Sequence, residues 1–254
     1  GPGRAPAQWT LLQQLENGPA GPACLAKWRE GWRPLLRKAV QRQWVEEITP
    51  PAPSLDVEAG PVLNDEQQEA YDRIRSDLGR FRCHLLDGVT GSGKTEVYLR
   101  LIEEVLRAGR QVLVLVPEIG LTTQLVERMT RRLGFAPAVS HSALAAGERT
   151  AVWERAHRGA TPLILGTRSA LFLPLHEPGL IIMDESHDSS FKQQEGFRFS
   201  ARDVAIKRAS MLNIPIVLGT ATPSLETLHN ACSGKYSWQR LRQRATAALQ
   251  PSWR

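Results

Sequence analysis

The run Gly88-Val89-Thr90-Gly91-Ser92-Gly93-Lys94-Thr95 constrains this chain more than any other stretch. It follows a short apolar segment, Cys83 to Leu86, and opens a segment with helical periodicity. A strand, a glycine-rich turn and a helix start bring backbone N–H groups together around an anion, so the run reads as a phosphate-binding loop. Gly91 and Gly93 permit close backbone approach. Lys94 reaches the terminal phosphates, and the Thr95 hydroxyl takes a place on Mg²⁺. The competing reading is a flexible Gly/Ser turn, and the remaining motifs weigh against it.

Strand and helix alternate beyond this point. Apolar runs at Leu85-Leu86, Val112 to Val116, Leu163 to Leu165, Leu180 to Met183 and Ile214 to Leu218 suit strands buried on both faces. Amphipathic segments lie between them: Glu96 to Ala108, Leu121 to Leu133, Glu148 to Arg158 and Ala201 to Leu212. Asn64, with Gln67 three residues on, marks a capped helix start before the loop. The pattern predicts an α/β fold: a parallel sheet with helices on both faces and its ligand at the carboxyl ends of the strands.

The segment Ile181-Ile182-Met183-Asp184-Glu185-Ser186-His187 is the second informative site. An apolar strand ending in Asp-Glu supplies what metal-assisted phosphoryl transfer needs near a phosphate loop. Asp184 holds Mg²⁺, and Glu185 orients and deprotonates the attacking water. Gly219-Thr220-Ala221-Thr222-Pro223 closes another strand, where its hydroxyls can bond the carboxylates of the box. The alternative is an ordinary turn with Thr222 or Ser224 capping the next helix.

Elsewhere the signals are weaker. Residues 1–49 carry short helical stretches around Trp9 to Leu15 and Leu36 to Trp44, with Arg33, Arg37, Lys38 and Arg42 set partly apart from the apolar face. With Val45-Glu46-Glu47-Ile48 as an edge strand this suits a winged helix, and a plain helical appendage suits it equally. Residues 50–62 form a proline-rich linker. A net charge of +6 favours an anionic partner. The three cysteines, Cys24, Cys83 and Cys232, form no C-x-x-C pair, which leaves buried free thiols in a reducing compartment. No apolar run reaches membrane-spanning length, so a cytoplasmic protein is expected.

The order of these motifs resembles the superfamily 2 helicases. The intervening strings resemble the PriA family of replication-restart helicases: Leu-Asp-Gly-Val-Thr-Gly-Ser-Gly-Lys-Thr-Glu-Val-Tyr at 86–98, Gly-Thr-Arg-Ser-Ala at 166–170 and Asp-Ser-Ser-Phe-Lys-Gln-Gln-Glu-Gly at 188–196. The resemblance implies a RecA-like lobe over residues 63–235 that binds ATP and Mg²⁺, with Lys94, Asp184, Glu185 and His187 catalytic and Gln67 reading adenine. It implies DNA contacts, with forked and single-stranded DNA as ligand, at Gly120 and Thr122 beside Pro117 and Leu121, and at Thr167, Arg168 and Ser169. Further contacts would come from an aromatic and basic loop with Phe191, Lys192, Phe197, Arg198 and Phe199. A winged helix at the N-terminus, primosome proteins and single-strand-binding protein as partners, and 3′-5′ helicase action at stalled forks follow from it too. The family's zinc module and second lobe, with its arginine finger, have no counterpart in this chain, and residues 236–254 read as a truncated tail. Ser186 stands where the family usually has glutamate. Another superfamily 2 translocase, or a non-hydrolysing ATP- and DNA-binding module, are the alternatives.

Overall fold

The computed structural model describes residues 7–16, 25, 30–46, 55, 57–193, 196 and 198–244. The chain divides into two compact units, Gly1–Pro50 and Pro51–Arg254.

In the first unit, helix α1 (Ala7–Glu16) and helix α2 (Trp32–Gln41) share a small core of Leu11, Leu25, Trp32 and Ala39. Arg33, Arg37 and Lys38 face solvent on α2, and Arg42 follows it. The Arg33 and Arg42 guanidinium groups lie 5.1 and 4.9 Å from the ring centres of Trp32 and Trp44. The expected strand over Val45–Ile48 is not formed at Val45 or Glu46, and Glu47 and Ile48 lie outside the described residues.

The second unit begins with α3 (Asp65–Arg75), whose start is a capping box. The Asn64 side chain accepts from the Gln67 N–H, and the Gln67 side chain accepts from the Asn64 N–H. The sheet contains β1 (Cys83–Gly88), β2 (Gln111–Leu115), β3 (Ala138–Ser140), β4 (Leu163–Gly166), β5 (Pro178–Met183), β8 (Ile216–Thr220) and β9 (Ser237–Leu241). The strands run in the order β3-β4-β2-β5-β8-β1-β9, and every pairing is parallel. Helices α4 (Lys94–Arg107), α5 (Thr123–Leu133), α6 (Ala146–His157), α7 (Ala201–Met211) and α8 (Leu225–Cys232) connect them. A short antiparallel pair, β6 (Lys192–Gln193) and β7 (Phe199–Ser200), stands apart from the sheet.

Strand alternation sorts the core into two layers. Leu180 and Ile182 join Val112, Val114 and Val217 beneath α4, whereas Ile181 and Met183 join Leu113, Leu218 and the alanines of α7 on the other face. Buried ionic contacts tie the first layer together. The Arg132 guanidinium lies 2.8 Å from Glu103 and 3.3 Å from Glu96, and it also bonds the Glu58 carbonyl. Residues of α4 and α5 are thereby fastened to the segment that leads into α3.

Three expectations are corrected. The sheet continues past Lys235, because Ser237–Leu241 pairs along β1 from His84 to Gly88. The buried positions of β9 include Ser237 and Gln239, so hydrophobic alternation does not announce it. Phe191 is a core residue, 2% exposed. Cys232 is exposed rather than buried, and Cys83 is buried as expected.

Two outcomes follow. Phe191→Ala should cost about 3–5 kcal/mol in urea unfolding, and Phe199→Ala, half-buried, clearly less; similar losses would contradict the packing. His84, fully buried on β1, is held down at about 4, because burial disfavours its charged form more than Asp77, 3.3 Å away, favours it. The unfolded chain takes up that proton near pH 6.5, and the folded chain only near 4. Stability should be full above pH 6.5 and fall by about 3 kcal/mol as pH drops to 4. His84→Gln should flatten that fall; an unchanged acid limb would assign it to other groups.

Candidate nucleotide site

The phosphate loop lies between β1 and α4. Gly91 and Gly93 adopt φ of +80° and +84°, the left-handed region that glycine enters without cost from a side chain. Gly93 occupies the N-cap of α4 and offers no capping side chain. Within the first turn of α4 the Glu96 N–H turns back to the Gly93 carbonyl at 2.9 Å, while the N–H groups before it have no carbonyl one turn back and carry the positive end of the helix dipole. The Lys94 ammonium donates to the Gly88 carbonyl at 2.8 Å and lies 3.7 Å from Glu185 Oε1. Gly88 packs closely: a methyl group there would come within 2.5 Å of Ser92 Oγ. Ser92 Oγ is buried without a protein hydrogen-bond partner. Unpaired donors, a cationic side chain and a side-chain-free cradle fit a bound phosphate chain.

Asp184 and Glu185 follow β5, and β5 pairs with both β2 and β8. The Asp184 N–H donates to Leu115 O at 2.9 Å, and the Ser186 N–H to Gly219 O at 2.9 Å. The box is thus bonded to both neighbouring strands. Glu185 has a φ of +45°, uncommon for a residue with a side chain. The turn that imposes it is closed by Asp188 N–H donating to Glu185 O at 2.8 Å. The Glu185 carboxylate consequently lies between Lys94 and His187 Nδ1, the latter 3.5 Å from Oε2. The Asp184 carboxyl is pushed above its ordinary range, first by burial and then by the adjacent Glu185 charge. Such a group favours a nearby cation. Thr95 and Asp184 supply hard oxygen donors, and Mg²⁺ commonly takes only one or two protein ligands beside phosphate and water. Among the described residues no cluster of three His, Cys, Asp or Glu side chains could hold a metal alone.

Two residues of this site stood in the sequence only inside longer motifs, with no role of their own. Tyr98, buried one turn after Lys94 on α4, donates its hydroxyl to Asp184 Oδ1 at 3.0 Å. Gly219 leaves room for that pair: a methyl group at 219 would overlap the Tyr98 hydroxyl and lie 2.9 Å from Asp184 Oδ1. The four-residue spacing of Lys94 and Tyr98 was the available signal, since it sets both on one helix face. Thr220 bonds His187 Nδ1 at 2.8 Å instead of a carboxylate, and Ser224 caps α8. Gln67 reaches the loop, donating to Ser92 O at 2.8 Å while accepting from Asn64 N–H.

The expected DNA contacts are less uniform. Gly120, Thr122 and Thr167 bond their N–H groups to Pro117 O, Gly120 O and Ser140 O, so these amides are not open to phosphate. The Thr122 hydroxyl caps α5, and Thr167 is buried. Arg168 Nη1 donates to the carbonyls of Ser190 and Lys192 at 3.1 and 3.0 Å, which joins the two loops. Ser169, Lys192 and Arg198 are exposed, Phe199 is half-buried, and Phe197 lies outside the described residues.

The close packing around Tyr98 has a measurable consequence. Gly219→Ala should cost about 1–3 kcal/mol through overpacking, and adding Tyr98→Phe should return part of it, because the overlapping hydroxyl is gone. A double-mutant cycle in urea tests this; strictly additive losses would place the clash elsewhere.

Comparison with known proteins agrees with this geometry. The family model for DEAD/DEAH box helicases matches residues 64–231. The chain is 50% identical over 193 residues to replication restart protein PriA of Haemophilus influenzae, covering 76% of this chain and 26% of that protein. It is 43% identical over 222 residues to that of Bacillus subtilis, covering 85% and 28%. The chain therefore spans about a quarter of the length of these relatives. A structure of RecG bound to a three-way DNA junction superposes with a TM-score of 0.52 at 19% identity, over 78% of this chain and 27% of that one, and shares its fold. The phosphate loop, the Asp-Glu-x-His box and the parallel sheet that aligns them place this chain in the DEAD/DEAH box helicase family.

Proposed function

We propose that this chain is the ATP-binding motor lobe of a replication-restart DNA helicase, working on forked and single-stranded DNA in the cytoplasm. The observation that carries the reading is the meeting of Lys94, Asp184 and Glu185 at the ends of β1 and β5, the two strands that flank β8, in a chain that is 50% identical over 193 residues to a replication restart protein. No helix among the described residues is long and apolar enough to cross a membrane. Primosome proteins and single-strand-binding protein are the partners this reading implies, with DNA held by Ser169, Lys192 and Arg198.

Each residue then has a task. The α4 N-terminus and Lys94 bind the phosphates, and Gln67 stands against the loop where a base-reading side chain is needed. Thr95 and Asp184 would hold Mg²⁺, which when bound offsets phosphate charge. Glu185, set between Lys94 and His187, is placed to orient a water and take its proton at the carboxylate. Thr220 holds His187 and so connects the box to the end of β8.

Calorimetric titration with ATP and Mg²⁺ tests the assignment. Lys94→Ala should bind at least about tenfold more weakly, since it removes a charge-assisted phosphate contact. Glu185→Gln should bind like wild type and lose whatever turnover single-stranded DNA stimulates. Equal affinity in wild type and Lys94→Ala would overturn the site.

A further inference from the structure

The aromatic surface this chain offers is not the one its sequence suggests. Phe191 is in the core, yet Phe172 is 61% exposed. It ends a short 3-10 turn, Arg168–Phe172, and meets Phe199 edge to face, with ring centres 5.5 Å apart at 76°. That turn is held at both ends. Arg168 bonds Ser190 O and Lys192 O at its start, and Arg208 bonds Leu171 O and, at 2.6 Å, Leu173 O on either side of Phe172. Exposed Lys192 and Arg198 line, with Phe199, a cavity of about 490 Å³ on the neighbouring β6–β7 pair. Among the described residues no carboxylate is ion-paired with Arg168, Lys192 or Arg208.

We propose that Phe172, braced by Phe199, is a stacking platform for one unpaired base of single-stranded nucleic acid. Three features favour this ligand. An exposed ring on a turn pinned from both sides loses little conformational freedom on binding. Exposed Lys192, which has no acidic partner among the described residues, and exposed Arg198 attract a phosphate backbone and disfavour an acidic protein surface. A π-face beside cations, without a base-reading pattern, suits contact that is indifferent to sequence. The inference rests on the nucleic-acid part of the function proposed above and adds to it the residue that touches a base.

Fluorescence anisotropy of the full 254-residue chain with a labelled oligothymidine and a labelled blunt hairpin duplex decides it, using wild type, Phe172→Ala and Phe172→Trp. Phe172→Ala should weaken the single strand roughly five- to a hundred-fold, the loss of one stack, with duplex binding and the salt dependence of affinity unchanged. Phe172→Trp should restore single-strand binding. Phe172 is exposed, so all three proteins should melt at the same temperature. If Phe172→Ala binds oligothymidine like wild type, loses both probes equally, or is not rescued by Trp, the platform is wrong while the nucleic-acid reading stands. If wild type binds neither probe, the nucleic-acid reading itself falls and this inference with it. ATP binding, measured on the same samples, should be unaltered in every variant.

Discussion

Parallel pairing of β1, β5 and β8 is the constraint on which the site depends. Leu86 lies opposite Gly219, and Met183 opposite Leu218, so three loops far apart in sequence leave the sheet at one level. A one-residue slip of any strand would turn its buried set to the other face. It would also carry the phosphate loop, the acidic box or the threonine turn out of reach of the others. Since these strands are apolar on both faces, register is fixed by the packing of both layers together. The chemistry inherits its accuracy from hydrophobic burial.

Much of this was legible in the sequence, for physical reasons that differ by residue. The phosphate loop is readable because its glycines and lysine answer to local backbone geometry. The alternating strands and helices are readable because period-2 and period-3.6 burial leave different traces. Strand β9 left no such trace: it contributes Ser237 and Gln239 to buried positions and is held mainly by its ladder along β1. Aromatic residues near a basic loop were ambiguous in principle, because the same ring serves a core or a ligand. Only the fold shows that Phe191 went inward and Phe172 outward. Tyr98 was missed because its partner is 86 residues away, and hydrogen bonds across that separation have no sequence period.

The second layer of organisation is ionic and buried. Arg132 of α5 meets Glu96 and Glu103 of α4, and Arg100 donates to Pro61 O at 2.8 Å. Glu96 is two residues from Lys94, so this network reaches the helix turn that carries the lysine proposed to bind phosphate. Breaking one member would leave an uncompensated buried charge, which costs more than the intact pair contributes. The network therefore acts as a rigid mount for the loop. Gly60 belongs to it as well, since a side chain there would press into the Arg132–Glu96 contact.

Glu185 illustrates how such a mount is used. Its left-handed backbone is a conformation in which a residue with a side chain is worse off by about 1–2 kcal/mol than glycine, which has no Cβ to clash. The bonds from Ser186 and Asp188 hold it there regardless. At this position, folding and the water-orienting role proposed for the carboxylate pull in opposite directions. A laboratory search that rewarded only heat resistance would drift toward glycine or asparagine at 185 and return a sturdier protein with its central carboxylate erased.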